Sequence, residues 1–338
     1  AGEATGDDEG AAAAMKAIES VEGMSVKILL ALTGTLLALA AGQPAWSSAA
    51  GKHGAGATIP VCTEPGWRIA MQLIPDGKQG AIVAWYDTRG TAFDVYAQRL
   101  TPGGTVAWAE EGVALCQAPG EQYNVNIAPD GSGGAIAAWT DSRPLGFHVY
   151  AQRVDARGRT VWTRDGVLIS HGSDGFTPMV AEDGSGGAYI AWETGPGGLR
   201  AQHLDDDGNL LWGQAGVGVS GPSDELLGPR LASDGAGGAF IVWTETRAGS
   251  ARVFVRRLGG DGPATPAVPV STLPSDQRRV SVTGDGEGGA FVAWKDDRGA
   301  GPGYGVLAQR FDADCRSQWD AQGIELAPDA VTDELYPA

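Results

Sequence analysis

Histidine and cysteine are scarce: the 338 residues contain four His and three Cys. Cys62, Cys116 and Cys315 are too few for a disulfide scaffold, and an odd number leaves at least one thiol free or paired outside the chain. Which of them, if any, pair is open at this level. None of His53, His148, His171 and His203 falls into a metal-binding spacing, and none recurs at a fixed interval. No GxSxG, HExxH or P-loop is present. Basic residues are also in deficit, 24 Lys and Arg against 41 Asp and Glu, giving a formal charge of −17. A field of that sign repels phosphate backbones and anionic lipid, which excludes nucleic acid as a partner. No helical periodicity appears after residue 60, so a helical solenoid is excluded too. With 43% hydrophobic and 19% charged residues the chain can bury a core, which argues against disorder throughout.

The longest apolar run, ILLALTGTLLALAA at 28–41, is about 14 residues where a spanning helix needs about 20. It follows Met-Ser-Val-Lys and precedes the small residues QPAWSSAAG, which is the pattern of a secretory signal peptide cleaved after Ala45 or Ala50. Residues 24–50 are therefore expected to be a leader. The mature protein is then extracellular, with the periplasm or cell surface as variants, and has no membrane contact. No Cys follows closely enough for a lipobox. Residues 1–23 begin with Ala1, include Met15, and read as an upstream or unstructured segment.

Glycine and tryptophan are plentiful, at 53 and 11 residues, and both recur at fixed spacing. An apolar strand ends on Trp85, Trp139, Trp192, Trp243 and Trp294, at intervals of 54, 53, 51 and 51 residues. An Asp-Gly turn precedes each strand, at Asp76, Asp130, Asp183, Asp234 and Asp285. Four copies continue as W-x-[DE]-x-R, with Asp87 and Arg89, Asp141 and Arg143, Glu245 and Arg247, and Asp296 and Arg298. The third copy has Glu193 and no Arg. A strand related to Ala-Gln-Arg follows, then a polar turn, then a segment carrying Trp108, Trp162, Trp212 or Trp319. The fourth copy has the Pro-rich PATPAVPV there instead.

In the second copy the spacing predicts four strands, near 123–128, 134–140, 147–154 and 160–169, separated by Gly, Asp and Pro turns. Four short strands in about 50 residues, repeated in tandem, predict an all-β β-propeller with one blade per copy over residues 51–338. The five Trp then fill the wedges between blades. The stretch APDGSGGAIAAWTDSR…VYAQRVDARG is similar to the TolB-type repeat, with its Pro-Asp-Gly turn, Asp-Arg turn and Asp-x-x-Gly turn. The resemblance spans roughly residues 58–338 and is closer still to secreted bacterial repeat proteins of unassigned function. It implies a fold and a compartment, and brings no active site.

By register, 57–62 matches a fourth strand and 332–338 a first strand, leaving an orphan strand at each end. The gene can continue beyond these residues, the two strands can pair as a reduced sixth blade, or they can pair between molecules. The Asp-Gly ring offers one carboxylate per blade, too few for calcium, which takes six to eight oxygens. DDDG at 205–208 lacks EF-hand spacing. No cofactor is therefore expected, calcium being the one candidate kept. The acid–Arg pairs Asp87/Arg89, Asp141/Arg143, Glu245/Arg247 and Asp296/Arg298 are the candidate ligands of one face, although the same pairs can simply pin their hairpins. No catalytic residue is singled out. The expected function is a secreted, non-enzymatic binding or assembly module that self-associates through its end strands. The alternative is a carbohydrate-active or glycan-binding propeller.

Overall fold

Runs of Ala, Val, Ile and Trp between Asp-Gly, Asp-Arg and Asp-x-x-Gly turns satisfy backbone hydrogen bonds most cheaply as antiparallel hairpins. The computed structural model describes residues 60–330 apart from 144–145, 196–197, 222–224, 248 and 299–303. The expected leader, the segment before it and 332–338 lie outside the described residues. The first sheet comprises β1 (Arg68–Pro75), β2 (Ala81–Asp87), β3 (Asp94–Leu100) and β4 (Val113–Cys116). The second holds β5 (Gln122–Pro129), β6 (Ala135–Asp141), β7 (His148–Val154) and β8 (Val167–Leu168). The third holds β9 (Phe176–Glu182), β10 (Ala188–Thr194), β11 (Gly198–Leu204) and β12 (Val217–Gly218). The fourth holds β13 (Glu225–Ser233), β14 (Ala239–Arg247), β15 (Ser250–Gly259), β16 (Gly262–Pro263) and β17 (Val268–Pro269). The fifth holds β18 (Asp276–Gly284), β19 (Ala290–Asp297), β20 (Tyr304–Phe311) and β21 (Ile324–Ala330).

Within each sheet the strands pair antiparallel in chain order; in the fourth, β16 and β17 both pair with β15. The first strands of successive sheets pack on one another, β1 on β5, β5 on β9, β9 on β13 and β13 on β18, and so line the inner side. Five blades stacked in this order make the chain a β-propeller. Among the described residues there is no helix, and none long and apolar enough to cross a membrane.

The core lies between blades. Ile82, Ala84 and Trp108 of the first blade meet Ile127, Ala137 and Trp139 of the second, and the pattern repeats along the stack. Trp85, Trp139, Trp192, Trp243 and Trp294 are all 0–2% exposed. Each of four indoles rests on a left-handed glycine before the outer strand: Gly112, Gly166, Gly216 and Gly323. A Cβ on Gly166 would lie 2.7 Å from the Trp139 ring, and its φ is +91°. Glycine is thus required there on two counts, close approach and backbone conformation.

Two expectations differ from what is found. Residues 160–169 do not form one strand. Thr160 makes an isolated bridge to Val154, and pairing resumes only at β8. Asp165 and Gly166 are left-handed, and Trp162 turns inward between them and the bridge, so the ladder is broken by the packing of that indole. At the other discrepancy, residues 60–62, the described part of the expected strand 57–62, are not strand. They nevertheless occupy the expected register. Arg89 Nη2 donates to Cys62 Sγ at 3.2 Å, as Arg143 Nη2 does to Cys116 Sγ at 3.2 Å. Thr63 N donates to Glu111 at 2.7 Å, as Gln117 N does to Asp165 at 3.0 Å.

Candidate functional site

The W-x-[DE]-x-R motif puts Trp, acid and Arg on the same side of a strand and its turn. The indole Nε1 donates to the acid two residues on: Trp85 to Asp87 at 2.8 Å, Trp139 to Asp141 at 3.0 Å, Trp243 to Glu245 at 2.8 Å and Trp294 to Asp296 at 2.8 Å. Arg89 and Arg143 bind the same carboxylates at 2.7 and 2.9 Å, stack over Tyr96 and Tyr150, and donate to the backbone carbonyls of Glu111 and Asp165. Arg298 lies 3.9 Å from Asp296 and donates to the carbonyl of Gln322. Arg247 closes β14, where it pairs with Ser250. The acids Asp87, Asp141, Glu245 and Asp296 are all buried. Burial pushes the Asp87 carboxyl up, but bonds from Arg89 and Trp85 outweigh it and hold the group below its ordinary value. The pairs of Arg89, Arg143 and Arg298 therefore tie strand to outer turn from inside the fold, and the four acids are buried and not presented to solvent as ligands.

The Asp-Gly turns are equally committed. Asp130 Oδ1 accepts from Ser132 N and Gly134 N, both at 2.8 Å, while Oδ2 accepts from Arg153 Nε at 3.1 Å. Asp76, Asp234 and Asp285 bind Arg99, Arg257 and Arg310 in the same way, and Asp183 binds His203 at 3.0 Å. These cations come from the Ala-Gln-Arg strand or its equivalent, 23 residues after the Asp in three copies and 20 and 25 after it in the third and fifth, so their recurrence was a usable signal for the pairing. The Gln of that strand is buried as well: Gln152 donates to the carbonyl of Thr163 and accepts from Trp162 N. All three cysteines are free thiols. Among the described residues no group of three or more His, Cys, Asp or Glu is placed to hold a metal ion.

What breaks the repeat is more informative. In the third blade the residue two after Trp192 is Thr194, and Trp192 Nε1 has no partner. The acid has moved to Glu193, on the opposite face of β10 and turned toward the fourth blade, where Arg230 of β13 acts on it. Burial raises its carboxyl to about 7, against a smaller opposing pull from Arg230. The first strands here carry bulges with left-handed residues, Asn124, Thr177, Gly228 and Arg279, at equivalent places on the inner side. Left-handed Thr and Arg are costly, of order 1–3 kcal/mol each, and such strain concentrates at functional places.

The two end blades differ from the others in exposure. Met71 and Leu73 on β1 are 70% and 66% exposed, whereas Val125 and Ile127, at the same register on β5, are buried. Phe291 on β19 is 37% exposed, whereas its counterparts Ile82, Ile136, Tyr189 and Phe240 are fully buried. Trp319 and Leu326 extend this second apolar face.

No protein-family model matches the chain, and no curated protein matches it. Solved structures do. A protein of unknown function from Dyadobacter fermentans is 12% identical, with a TM-score of 0.47 over 80% of this chain and 85% of that one. An endo-arabinase from Bacteroides thetaiotaomicron is 13% identical, with a TM-score of 0.34 over 78% and 99%. An α-L-arabinofuranosidase from Podospora anserina is 10% identical, with a TM-score of 0.37 over 69% and 85%. None of these three is described as a TolB-type protein, and at such identities and TM-scores no activity passes from any of them to this chain.

Proposed function

We propose that the chain is a binding and assembly module that works by stacking blade on blade, each copy offering its fifth blade to the first blade of the next. The carrying observation is the pair of apolar end faces, Met71 and Leu73 at one end and Phe291 at the other, exposed where the same register is buried inside the stack. Two of the junctions inside the chain show a pairing that fits, while at the next one Trp212 bonds the carbonyl of Gly260 and does not rest on Gly262. The second tryptophan of a blade sits on the turn glycine of the next: Trp108 on Gly158 and Trp162 on Gly208. Where Thr265 replaces that tryptophan, Cys315 replaces the glycine. At the two ends the residues are Trp319 and Gly104, the same pair as at the first two junctions, and Gly104 has the same left-handed turn as Gly158. Docking of this kind is head-to-tail and heterologous, so it builds a ring or a filament rather than a two-fold dimer. Residues 60–63 then yield their place on Arg89 and Glu111 to the neighbour's outer strand.

Light scattering over a range of concentrations tests this. Wild type is expected to grow in mass with concentration, and Leu73→Asp and Phe291→Asp each to stay monomeric with unchanged melting. A wild-type chain that is monomeric at high concentration overturns the reading. Export is part of the same proposal: N-terminal sequencing of the mature product is expected to start near Trp46 or Gly51, and retention of Met24 in a cytoplasmic product contradicts it.

A second reading, a carbohydrate-active propeller, is favoured by Glu193, a non-repeating carboxyl that burial raises to about 7 and that lies opposite Phe176 of the first strand of its blade. Two of the neighbouring structures are described as an endo-arabinase and an α-L-arabinofuranosidase, at similarities too low to transfer either activity. Glycoside hydrolysis needs a second carboxyl opposite the first. Turnover of any soluble polysaccharide by wild type and its loss in Glu193→Gln would establish this reading over assembly alone.

A further inference from the structure

The third blade keeps the two kinds of donor found in the W-x-[DE]-x-R motif and has lost the acid between them. Trp192 occupies the place of the other four tryptophans: it is fully buried, and a Cβ on Gly216 would lie 3.1 Å from its ring, as one on Gly166 would lie 2.7 Å from that of Trp139. In the other four blades Nε1 donates to the carboxylate two residues on. Here that residue is Thr194, and among the described residues Trp192 Nε1 has no partner. A guanidinium is nevertheless present, supplied by a different strand. Arg200 stands opposite Trp192 on β11, where Tyr96 and Tyr150 stand opposite Trp85 and Trp139. Its Nε donates to the carbonyl of Ala215 at 2.9 Å and its Nη2 to that of Gly216 at 3.1 Å. Ala215 precedes Gly216 as Glu111 precedes Gly112 and Asp165 precedes Gly166, so Arg200 reaches the same point of the outer turn as Arg89 and Arg143. Those two arginines are matched by Asp87 and Asp141, whereas no carboxylate among the described residues pairs with Arg200.

We propose that the third blade binds a small carboxylate anion of formate or acetate size, held between Trp192 Nε1 and the Arg200 guanidinium in the place of the side-chain acid of the other blades. A buried donor without an acceptor is costly, and a charged acceptor shared with a guanidinium is the strong solution the other blades use. The side chains around the indole N–H are reduced to match. Threonine lacks both carboxylate oxygens. Gly175, one residue before Phe176, stands by register where Gln122 and Gln277 lie opposite Asp141 and Asp296. Ser170 is at the register of Cys116, whose Sγ is 3.8 Å from Asp141, and its Oγ would lie 2.8 Å from a Cβ on Gly175. That Oγ accepts from Val149 N, which leaves its proton as a further donor. Thr194 and Arg200 are half-buried, so the anion enters on the side of Arg200, and Thr194 turns aside for it to reach the indole. The full burial of Trp192 restricts the ligand to a few atoms. Glu193 points to the opposite face of β10 and the end faces lie on other blades, so the site stands or falls separately from hydrolysis and from assembly.

The probe is acetate, with acetamide and chloride as the neutral and anionic controls, followed by the indole N–H resonances of the nitrogen-labelled chain. Trp192→Phe identifies the Trp192 signal by its loss. Should that variant fail to fold, Thr194→Asp identifies it instead, because the new carboxylate displaces that one indole signal. In wild type the Trp192 signal is expected to move downfield saturably with acetate, with Kd of about 10 mM or tighter, and not with acetamide or chloride. Arg200→Gln is expected to raise that Kd at least about tenfold. Thr194→Asp is expected to show the displaced signal without acetate and no further response to it. A wild-type Trp192 signal that does not move, an equal response to either control, an unchanged Kd in folded Arg200→Gln, or a Thr194→Asp chain that still titrates with acetate would overturn the proposal.

Discussion

Trp139 and its four equivalents show how far a single residue type can be read from sequence. A large aromatic recurring at the end of an Ala-rich strand has to be buried, and replacing Trp139 by Ala is expected to cost about 3–5 kcal/mol, measured by denaturant unfolding. Its supporting glycine is invisible to periodicity, because Gly166 lies 27 residues further on and only the fold brings it under the ring. Gly166→Ala is expected to destabilise by about 2–4 kcal/mol, more than alanine at an open turn glycine such as Gly172, since both the ring and the left-handed φ oppose a Cβ. Glu193 behaves differently. Its folded value is near 7 against an ordinary value of 4.5, so the folded state holds the proton more tightly. Its contribution is complete below about pH 4.5 and is lost as pH rises toward 7, by an amount on the order of 3 kcal/mol at most. The Glu193→Gln variant is therefore expected to gain stability relative to wild type between pH 5 and 8. Equal pH profiles for the two proteins would show that the carboxyl is not buried as described.

At the scale of the element, the hairpins are legible and the start of the second copy's fourth strand is not. Asp-Gly followed by Gly two or three residues later marks each first turn, because the Asp carboxylate replaces two missing backbone partners and the glycines adopt positive φ. Sequence does not say that the free oxygen of the same Asp would hold the arginine 23 residues on, as in Asp130 with Arg153. Asp130→Ala removes three bonds and leaves that arginine without its carboxylate, holding only the carbonyl of Asp206; a loss of about 2–4 kcal/mol is expected in thermal or denaturant melts. Asp155→Ala, at an exposed turn with a more exposed Arg159, is expected to cost under about 1 kcal/mol. The reading of 160–169 as one strand failed for a physical reason: alternation in VWTRDGVLI is compatible with a ladder, but burying Trp162 against the next blade requires the chain to leave the ladder there.

For the whole molecule, stacking makes the blades unequal. The second, third and fourth are covered on both faces, while the first and fifth each leave one apolar face exposed. Native-state hydrogen exchange is expected to be slowest in β6, β10 and β14 and faster in β1 and β21. Addition of concentrated protein should slow exchange in β1 and β19 selectively if the end faces meet. Uniform exchange across the blades would contradict the inequality.

The amino-acid sequence by itself determined that the chain is all-β, that it repeats about every 50 residues, and that Trp85, Trp139, Trp192, Trp243 and Trp294 share one role. These are consequences of local alternation, turn chemistry and self-similarity, which need no partner to be read. The acid–Arg pairs were equally visible as pairs, yet their burial was not, since an Asp and an Arg two apart look the same on a surface hairpin as beneath a turn. Only the tertiary structure decided that Trp162 leaves the ladder to pack on Gly208, that Thr265 meets Cys315 where two other junctions set a tryptophan on a glycine, and that Leu73 is exposed where Ile127 is buried. Each of these depends on what stands across a junction between blades, and that is a relation between segments about 50 residues apart that no local pattern encodes.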